Sequence, residues 1–405
     1  VPVPTSAQLT APEVAKMIAE LAPAAVIVGE GIACPVGDFL RLSETDLQEM
    51  RALPPCDFAM GDPDRLAYIV YTSGTSGKPR AVMHAHRAIW ARQMMIRDWY
   101  ELSEHDRLCH AGAFNWTYTL GTGLMDPWST GATSLIPAEG VAPEALGGLM
   151  QTHKATIFAA APGVYRKLLK SGETLDLPNL RHGLSAGEKL SETIRSNWRA
   201  ATGCEVYEAF GMSECSTFLS GSPSRPATDG SLGQPQQGRH VAIVGEDGPL
   251  PRGETGQIAI NRSDAGLMLG YFGAEEDTRA RFQGDWFLTS DLGVMLENGQ
   301  IAYKGRADDM MNAGGYRVSP VEVEQALQGF DGITALAVTD VEVKADVRVI
   351  GCFYISDSDI DQAGLQAFAE ASLAAYKRPK LYKRLESLPT GPNNKVKRSA
   401  LKTMT

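Results

Sequence analysis

The chain has 405 residues, with 38 Lys and Arg against 48 Asp and Glu, a formal net charge of −10, 43% hydrophobic and 21% charged residues. That balance describes an ordinary soluble protein of two or three structural units, and it excludes a disordered chain or a chain-wide nucleic-acid footprint. No apolar run reaches the roughly 18 residues of a membrane helix, and the first thirty residues lack the basic start, apolar centre and cleavage site of a signal peptide, so the cytoplasm is the expected compartment.

From Thr10 to about Ala200, strand-length apolar stretches (AAVIVGE, LAYIVY, TIFAA) alternate with helical patterns (APEVAKMIAEL, SETIRSNWRAA), which reads as α/β with a largely parallel sheet. From about Gly230 to Lys304 the pattern becomes short strands separated by turns. Asp247-Gly248 and Asn298-Gly299 are hairpin signals, and this stretch reads as a β-rich subdomain, a distorted barrel. After Arg306 come a polar, glycine-containing segment, a capped helix opening at Ser319-Pro320, two strand-like runs, a helix over about Asp361 to Ala375 and a basic tail. The expected division is residues 1–306 (1–229 α/β, 230–306 β-rich) and a small α+β domain over 307–405. Between Lys377 and Lys402 nine basic residues face one acid, Glu386, which suits either a solvated face or a surface that meets phosphates. The cysteines (Cys34, Cys56, Cys109, Cys204, Cys215, Cys352) form no CxxC pair and indicate neither zinc nor disulfides. His84 and His86 are spaced i,i+2 and do not share a helix face, so packing and capping are their expected roles.

The strongest local signal is Tyr71-Thr-Ser-Gly-Thr-Ser-Gly-Lys-Pro-Arg80, directly after LAYIVY. Glycines and hydroxyls this dense let backbone N–H groups and Ser/Thr side chains converge on phosphate oxygens, with Lys78 supplying charge. It is not a Walker A loop, because Gly74 and Gly77 stand too close and Pro79 follows the lysine.

This decapeptide resembles the signature loop of the adenylate-forming (AMP-binding) superfamily, and four more motifs follow in that family's order. Tyr207-Glu-Ala-Phe-Gly-Met-Ser-Glu214 resembles its aromatic-Gly-x-Thr/Ser-Glu motif, and Trp286-Phe-Leu-Thr-Ser-Asp291 its strand-end Asp motif, with Ser290 where Gly is usual. The segment from Lys304 to Pro320 resembles the hinge, and Asn394-Lys395-Val-Lys-Arg398 the terminal Gly-Lys-x-x-Arg motif, with Asn394 in place of Gly. The run from Ser185 to Glu214 is most similar to medium-chain and benzoate-type acyl-CoA ligases.

The resemblance implies a large N-terminal domain, a mobile C-terminal lid and an acid:CoA ligase that forms an acyl-adenylate before thioester transfer. Thr72, Ser73, Gly74, Thr75, Ser76, Gly77 and Lys78 would hold phosphates. Glu214 with Ser213 would place Mg²⁺, and Gly187, Glu188, Glu208, Ala209, Phe210 and Gly211 would frame adenine. Phe210 stands where Tyr is common, which keeps a π face and removes a hydroxyl. Asp291 would accept the ribose hydroxyls with Arg306 behind it, and Lys395 would stabilise charge developing at the α-phosphate. Asp308 matches the hinge, while Gly314, Gly315 and Arg317 would meet CoA or nucleotide after domain rotation.

Substrate choice is thinner. Phe114, Asn115, Trp116, Tyr118 and Gly121 are the expected acyl pocket; the aromatics suit an uncharged aromatic or medium-chain acid, or equally core packing. The implied partners are ATP, CoA and a small carboxylic acid, with no nucleic acid and no membrane, and a homodimer is allowed. Family members carry sheet and helix ahead of the VPVPTS segment, so exposed apolar surface is expected near the start. Two rival readings stand: an adenylation enzyme that loads a carrier protein, and an inactive nucleotide-binding homologue.

Overall fold

The computed structural model describes residues 1–7, 9–32, 34–72, 80–170, 172–309, 311–313, 316–344, 347–391 and 396–404, with the backbone alone for 308, 312, 313, 316, 317, 344 and 347. A seven-stranded sheet runs, edge to edge, through Gln234–Pro235, Ser216–Ser220, Val206–Met212, His182–Ala186, Ile157–Ala160, Arg107–Ala111 and Thr133–Leu135. The five strands from Val206–Met212 to Thr133–Leu135 pair in parallel, and the other two join antiparallel. Both faces are buried, as a parallel sheet requires. Along Ile157–Ala160 the alternation is visible: Phe158 and Ala160 join a cluster with Tyr165 and Trp198, while Ile157 and Ala159 join Trp99, Tyr100 and Tyr118.

The strand Leu66–Thr72, expected in that parallel sheet, instead pairs antiparallel with Arg80–Ala85, and Gly270–Tyr271 completes a separate three-stranded sheet. The reason is chain length. Only residues 73–79 separate the two long strands, too few for the dozen or so residues of a parallel crossover.

The antiparallel sheet downstream takes Gly248–Pro249, Val241–Gly245, Thr255–Asn261, Trp286–Met295 and Phe282–Gln283 in order, with Ile301–Arg306 also paired to Trp286–Met295. Its turns fall at the two expected hairpin signals, where Gly248 and Gly299 take positive φ of 120° and 80°. The stretch 230–306 is nonetheless not self-contained, since it lends Gln234–Pro235 and Gly270–Tyr271 to the other two sheets.

Beyond Arg306 lie a 3₁₀ turn Ala307–Asp309, a short hairpin, helix Pro320–Leu327, strands Ala335–Lys344, Val347–Ile355 and Leu381–Arg384, and helix Gln362–Ser372. Ser319 caps the first helix by accepting the Glu322 N–H, and its hydroxyl donates to the Lys304 carbonyl at 2.6 Å. The described hydrophobic clusters divide at this point: those of the preceding part draw on residues up to Tyr303, the rest on Met311 to Met404. Between residues 1 and 65, Val28 is the one described apolar side chain in the buried set, and Phe58 is 93% exposed.

Candidate active site

The site grows from the hairpin turn between Val206–Met212 and Ser216–Ser220, which carries Ser213 and Glu214. Gly211 is required there, because a Cβ would sit 2.2 Å from the Ser216 carbonyl oxygen. The turn is held from several directions. His84 Nε2 donates to the Ser213 carbonyl at 2.8 Å, the Met268 N–H donates to the Glu214 carbonyl at 2.7 Å, and Arg92 reaches Ser216 Oγ. Arg239 donates to the Cys215 and Thr217 carbonyls, both at 3.0 Å, while its Nε donates to Asp264 at 3.0 Å. That ion pair is sealed from water, with side-chain exposures of 1% and 0%. Arg92 is likewise buried against Asp126 in a two-bonded pair at 2.7 Å each, joined by the Tyr100 hydroxyl. His84 stacks on Tyr68, and burial lowers its pKa to about 4, so it is neutral at pH 7.

Glu214 Oε1 accepts the Tyr271 hydroxyl at 2.7 Å, and among the described residues no other hydrogen bond reaches its side chain. The remaining oxygen suits a divalent cation that is otherwise held by nucleotide phosphates, the usual arrangement for Mg²⁺. No group of three or more His, Cys, Asp or Glu that could hold a metal occurs among the described residues.

A second corner forms where Trp286–Met295 and Ile301–Arg306 pair in register Asp291 to Arg306. The Tyr303 hydroxyl donates to Asp291 Oδ1 at 3.0 Å, and Arg306 Nη1 stands 3.8 Å from Asp291 Oδ2. Burial, first, and the neighbouring Asp291 charge push the Tyr303 phenol upward, so it remains a donor. The Phe210 ring lies 5.8 Å from that of Tyr303, which brings the hairpin and the Asp291 carboxylate into one corner. Ser290, standing where the family motif has Gly, has φ of +65°, a left-handed backbone that favours glycine; Arg281 donates to its hydroxyl at 3.0 Å.

Glu208 accepts the Leu190 N–H at 2.7 Å and Arg195 at 2.5 Å, so its carboxylate anchors the 187–190 loop. Burial raises its pKa despite both partners. Ala209 is buried in the core beside Tyr118. On the loop itself Glu188 is half-buried, and Gly187 has φ of +95° with Trp116 so close that a Cβ would meet Cη2 at 2.9 Å. Phe114 and Asn115 are half-buried in the same loop as Trp116. Tyr118 is buried, stacks near Trp99 and donates to the Leu184 carbonyl at 3.2 Å, while Gly121 packs under the Arg92 guanidinium. Next to them His110 is buried with neither ring nitrogen partnered among the described residues, and Thr119 Oγ1 likewise. Burial takes the His110 pKa to about 3.

Thr72 ends the strand leading into the glycine-rich loop and pairs with Arg80 across it. Ser73, Gly74, Thr75, Ser76, Gly77, Lys78, Gly314, Gly315, Asn394 and Lys395 lie outside the described residues; of Asp308 and Arg317 only the backbone is described, in the 3₁₀ turn and the short hairpin. Three residues past Lys395, Arg398 makes a two-bonded pair with Glu324 at 2.8 Å and approaches Asp309 at 3.4 Å. Sequence reading singled out neither Tyr303, Tyr271, Arg239 nor Asp264. Their side-chain hydrogen bonds span 12 residues for Tyr303 and 57 for Tyr271, and the one local signal was Tyr303 lying just ahead of Lys304-Gly-Arg306.

The family profile described as AMP-binding enzyme matches residues 1–272, and the chain belongs to that family. Its relatives place it in the acyl-CoA synthetase branch. It is 29% identical over 367 residues to the 3-hydroxybenzoate–CoA ligase of Aromatoleum sp. (strain CIB), with 86% of this chain and 70% of that protein covered. It is 29% identical over 350 residues to the mitochondrial acyl-coenzyme A synthetase ACSM3 of Homo sapiens, with 82% and 59% covered. The benzoate CoA ligase of Burkholderia xenovorans LB400 superposes with a TM-score of 0.83 at 27% identity, covering 99% of this chain and 84% of that one. The chain thus spans 59% of the length of the ACSM3 relative and 70% of that of the hydroxybenzoate ligase.

Proposed function

We propose that this protein is an AMP-forming acid:CoA ligase acting on an uncharged aromatic acid of benzoate size. The observation that carries the reading is the corner formed by Phe210, Tyr303, Asp291 and Arg306 beside the Glu214 turn, an apolar face and a paired carboxylate set next to a half-free carboxylate. Adenine fits against Phe210, and a ribose diol donates to Asp291, whose charge Arg306 and Tyr303 hold in place. Lys78 and the hydroxyls of residues 73–79 would offset the phosphate charge, and Glu214 with Ser213 would hold Mg²⁺. The cation supplies further offset of phosphate charge. The substrate carboxylate attacks the α-phosphorus in line, the α–β phosphoanhydride bond breaks and pyrophosphate leaves, giving the acyl-adenylate; Lys395 stabilises the charge that develops there, which accelerates the step because that charge is greatest in the transition state.

Thioester formation follows rotation of residues 307–405 about Asp308, which withdraws Lys395 and brings Gly314, Gly315 and Arg317 toward the pantetheine arm; the CoA thiol loses its proton to solvent, its sulfur attacks the acyl carbonyl, and the acyl–phosphate bond breaks with AMP leaving. The separation of apolar clusters between Tyr303 and Met311 supports such a hinge. The substrate class is supported by Trp116 over Gly187, by the absence of any acidic group in the Gly112 to Gly121 segment, and by the benzoate and hydroxybenzoate names of the relatives. Incubation with ATP, Mg²⁺, CoA and a panel of benzoates tests the reading: a benzoyl-type CoA thioester with stoichiometric AMP supports it. Formation of ADP, or of acyl-AMP with no thioester at saturating CoA, contradicts it.

A further inference from the structure

Tyr271 sits in a segment, Ala265-Gly-Leu-Met-Leu-Gly-Tyr271, to which the adenylation reading gives no role. Its backbone is fixed to the strand leaving the glycine-rich loop. Gly270 and Tyr271 pair with Met83 and Val82, the Leu269 N–H donates to Met83 and the Phe272 N–H to Ala81, both within 2.9 Å. The Tyr271 N–H donates to Thr278 Oγ1 at 2.9 Å. The side chain is then caught at both ends. Arg80, the residue directly after the loop, lies over the ring with its guanidinium carbon 4.9 Å from the centroid, and is held there by Asp277 at 3.0 Å. The hydroxyl, 2.7 Å from Glu214 Oε1, donates to that carboxylate.

We infer that Tyr271 is a positioning residue that couples the exit of the phosphate loop to the metal-facing carboxylate, fixing the rotamer of Glu214 so that its second oxygen faces the cation. A Glu side chain has three rotatable bonds, and a lone carboxylate facing a cation with few other protein ligands gains affinity when one oxygen is already tied. A phenol held by stacking at one end and by a strand at the other is a rigid donor, and a hydrogen bond to a charged acceptor is worth roughly tenfold or more in an equilibrium. The orientation of Tyr271 also answers to Arg80, so a shift of the loop's exit is transmitted to Glu214 through one ring.

The inference rests on the reading of Glu214 as the cation's carboxylate, and the experiment separates the two. Mn²⁺ binding to the full chain in the presence of α,β-methylene-ATP is followed by electron paramagnetic resonance for the parent protein and for Tyr271→Phe, Arg80→Gln and Glu214→Gln. Tyr271→Phe is expected to raise the Mn²⁺ concentration for half-occupancy about tenfold, with binding of the metal-free nucleotide, KM for CoA and melting temperature unchanged. Arg80→Gln is expected to raise it about threefold. Unchanged Mn²⁺ occupancy in Tyr271→Phe while Glu214→Gln loses it would overturn the inference and leave the reading of Glu214 intact. Unchanged occupancy in Glu214→Gln overturns that reading itself. Should Tyr271→Phe not fold, Arg80→Gln decides alone, because an unaltered Mn²⁺ titration there removes the coupling.

Discussion

The two sides of the site are built differently. Around Glu214 and Asp291, order comes from hydrogen bonds: Arg239, held by Asp264, donates to the carbonyls of Cys215 and Thr217, His84 donates to that of Ser213, and Tyr303 and Tyr271 each anchor one carboxylate oxygen. Around Trp116, order comes from ring packing, and His110 and Thr119 keep buried polar atoms that no described residue satisfies. Hydrogen-bonded networks tolerate little change, whereas apolar walls trade volume for volume at modest cost. The difference suits an enzyme in which the nucleotide is constant and the acid varies between relatives.

The comparison breaks first if the clamp behind Glu214 is dispensable. Asp264→Ala leaves the Arg239 guanidinium buried and unpaired and is expected to cost about 3–5 kcal/mol, measured by urea unfolding. A loss below about 1 kcal/mol would mean that water reaches the pair. Next, Asp291→Asn removes the charge that a ribose diol meets while keeping the side chain's shape. The expected result is a fall in kcat/KM for ATP of about a hundredfold, with KM for the acid unaffected.

On the packed side, Trp116→Ala is expected to exchange substrates more than to lose them. Benzoate turnover should drop about tenfold while an acid with a bulkier ring substituent gains by a similar factor, read as the ratio of kcat/KM values. Equal losses for both acids would place Trp116 in the core instead. The buried histidines add a pH signature. Burial lowers the folded-state pKa of His84 to about 4 and of His110 to about 3, below the ordinary value of 6.5. The unfolded chain therefore binds more protons below pH 6.5. Stability is complete above that pH and falls as pH drops toward 4, by about 1.4 kcal/mol per pH unit for each histidine. His110→Phe should remove one histidine's share of that slope in urea unfolding between pH 6.5 and 4. The smallest effect expected is Ser290→Gly, which relieves a left-handed serine and should stabilise by about 0.5–1 kcal/mol, less what the Arg281 bond contributes, as a rise in melting temperature.

How much of this was legible in the sequence follows from how far apart the interacting residues stand. Thr72, Glu214 and Asp291 were singled out as candidates because each lies in a contiguous motif whose residue types suit that chemistry. Helices such as Ala11–Leu21 and Glu192–Thr202, and both hairpins at Asp-Gly and Asn-Gly, were legible because capping and turn chemistry is local. The strand LAYIVY was assigned to the wrong sheet because periodicity reports burial and not the partner. Tyr271 and Arg239 were missed because an isolated Tyr or Arg acquires a role only when strand pairing brings a distant carboxylate or carbonyl to it. Ser290 shows the opposite case. Its departure from the motif was readable, and the structure supplies the strained backbone that explains why glycine is usual there.

The central claim is that this chain adenylates a benzoate-type acid, and ATP–pyrophosphate exchange tests it most directly. Purified protein with Mg²⁺, ATP and labelled pyrophosphate is assayed with benzoate, hydroxybenzoates, and short and medium-chain acids in turn, beside Lys395→Ala. The account predicts exchange that depends on an aromatic acid and falls by about a hundredfold or more in the variant. Exchange independent of added acid, or equal in Lys395→Ala, would contradict it.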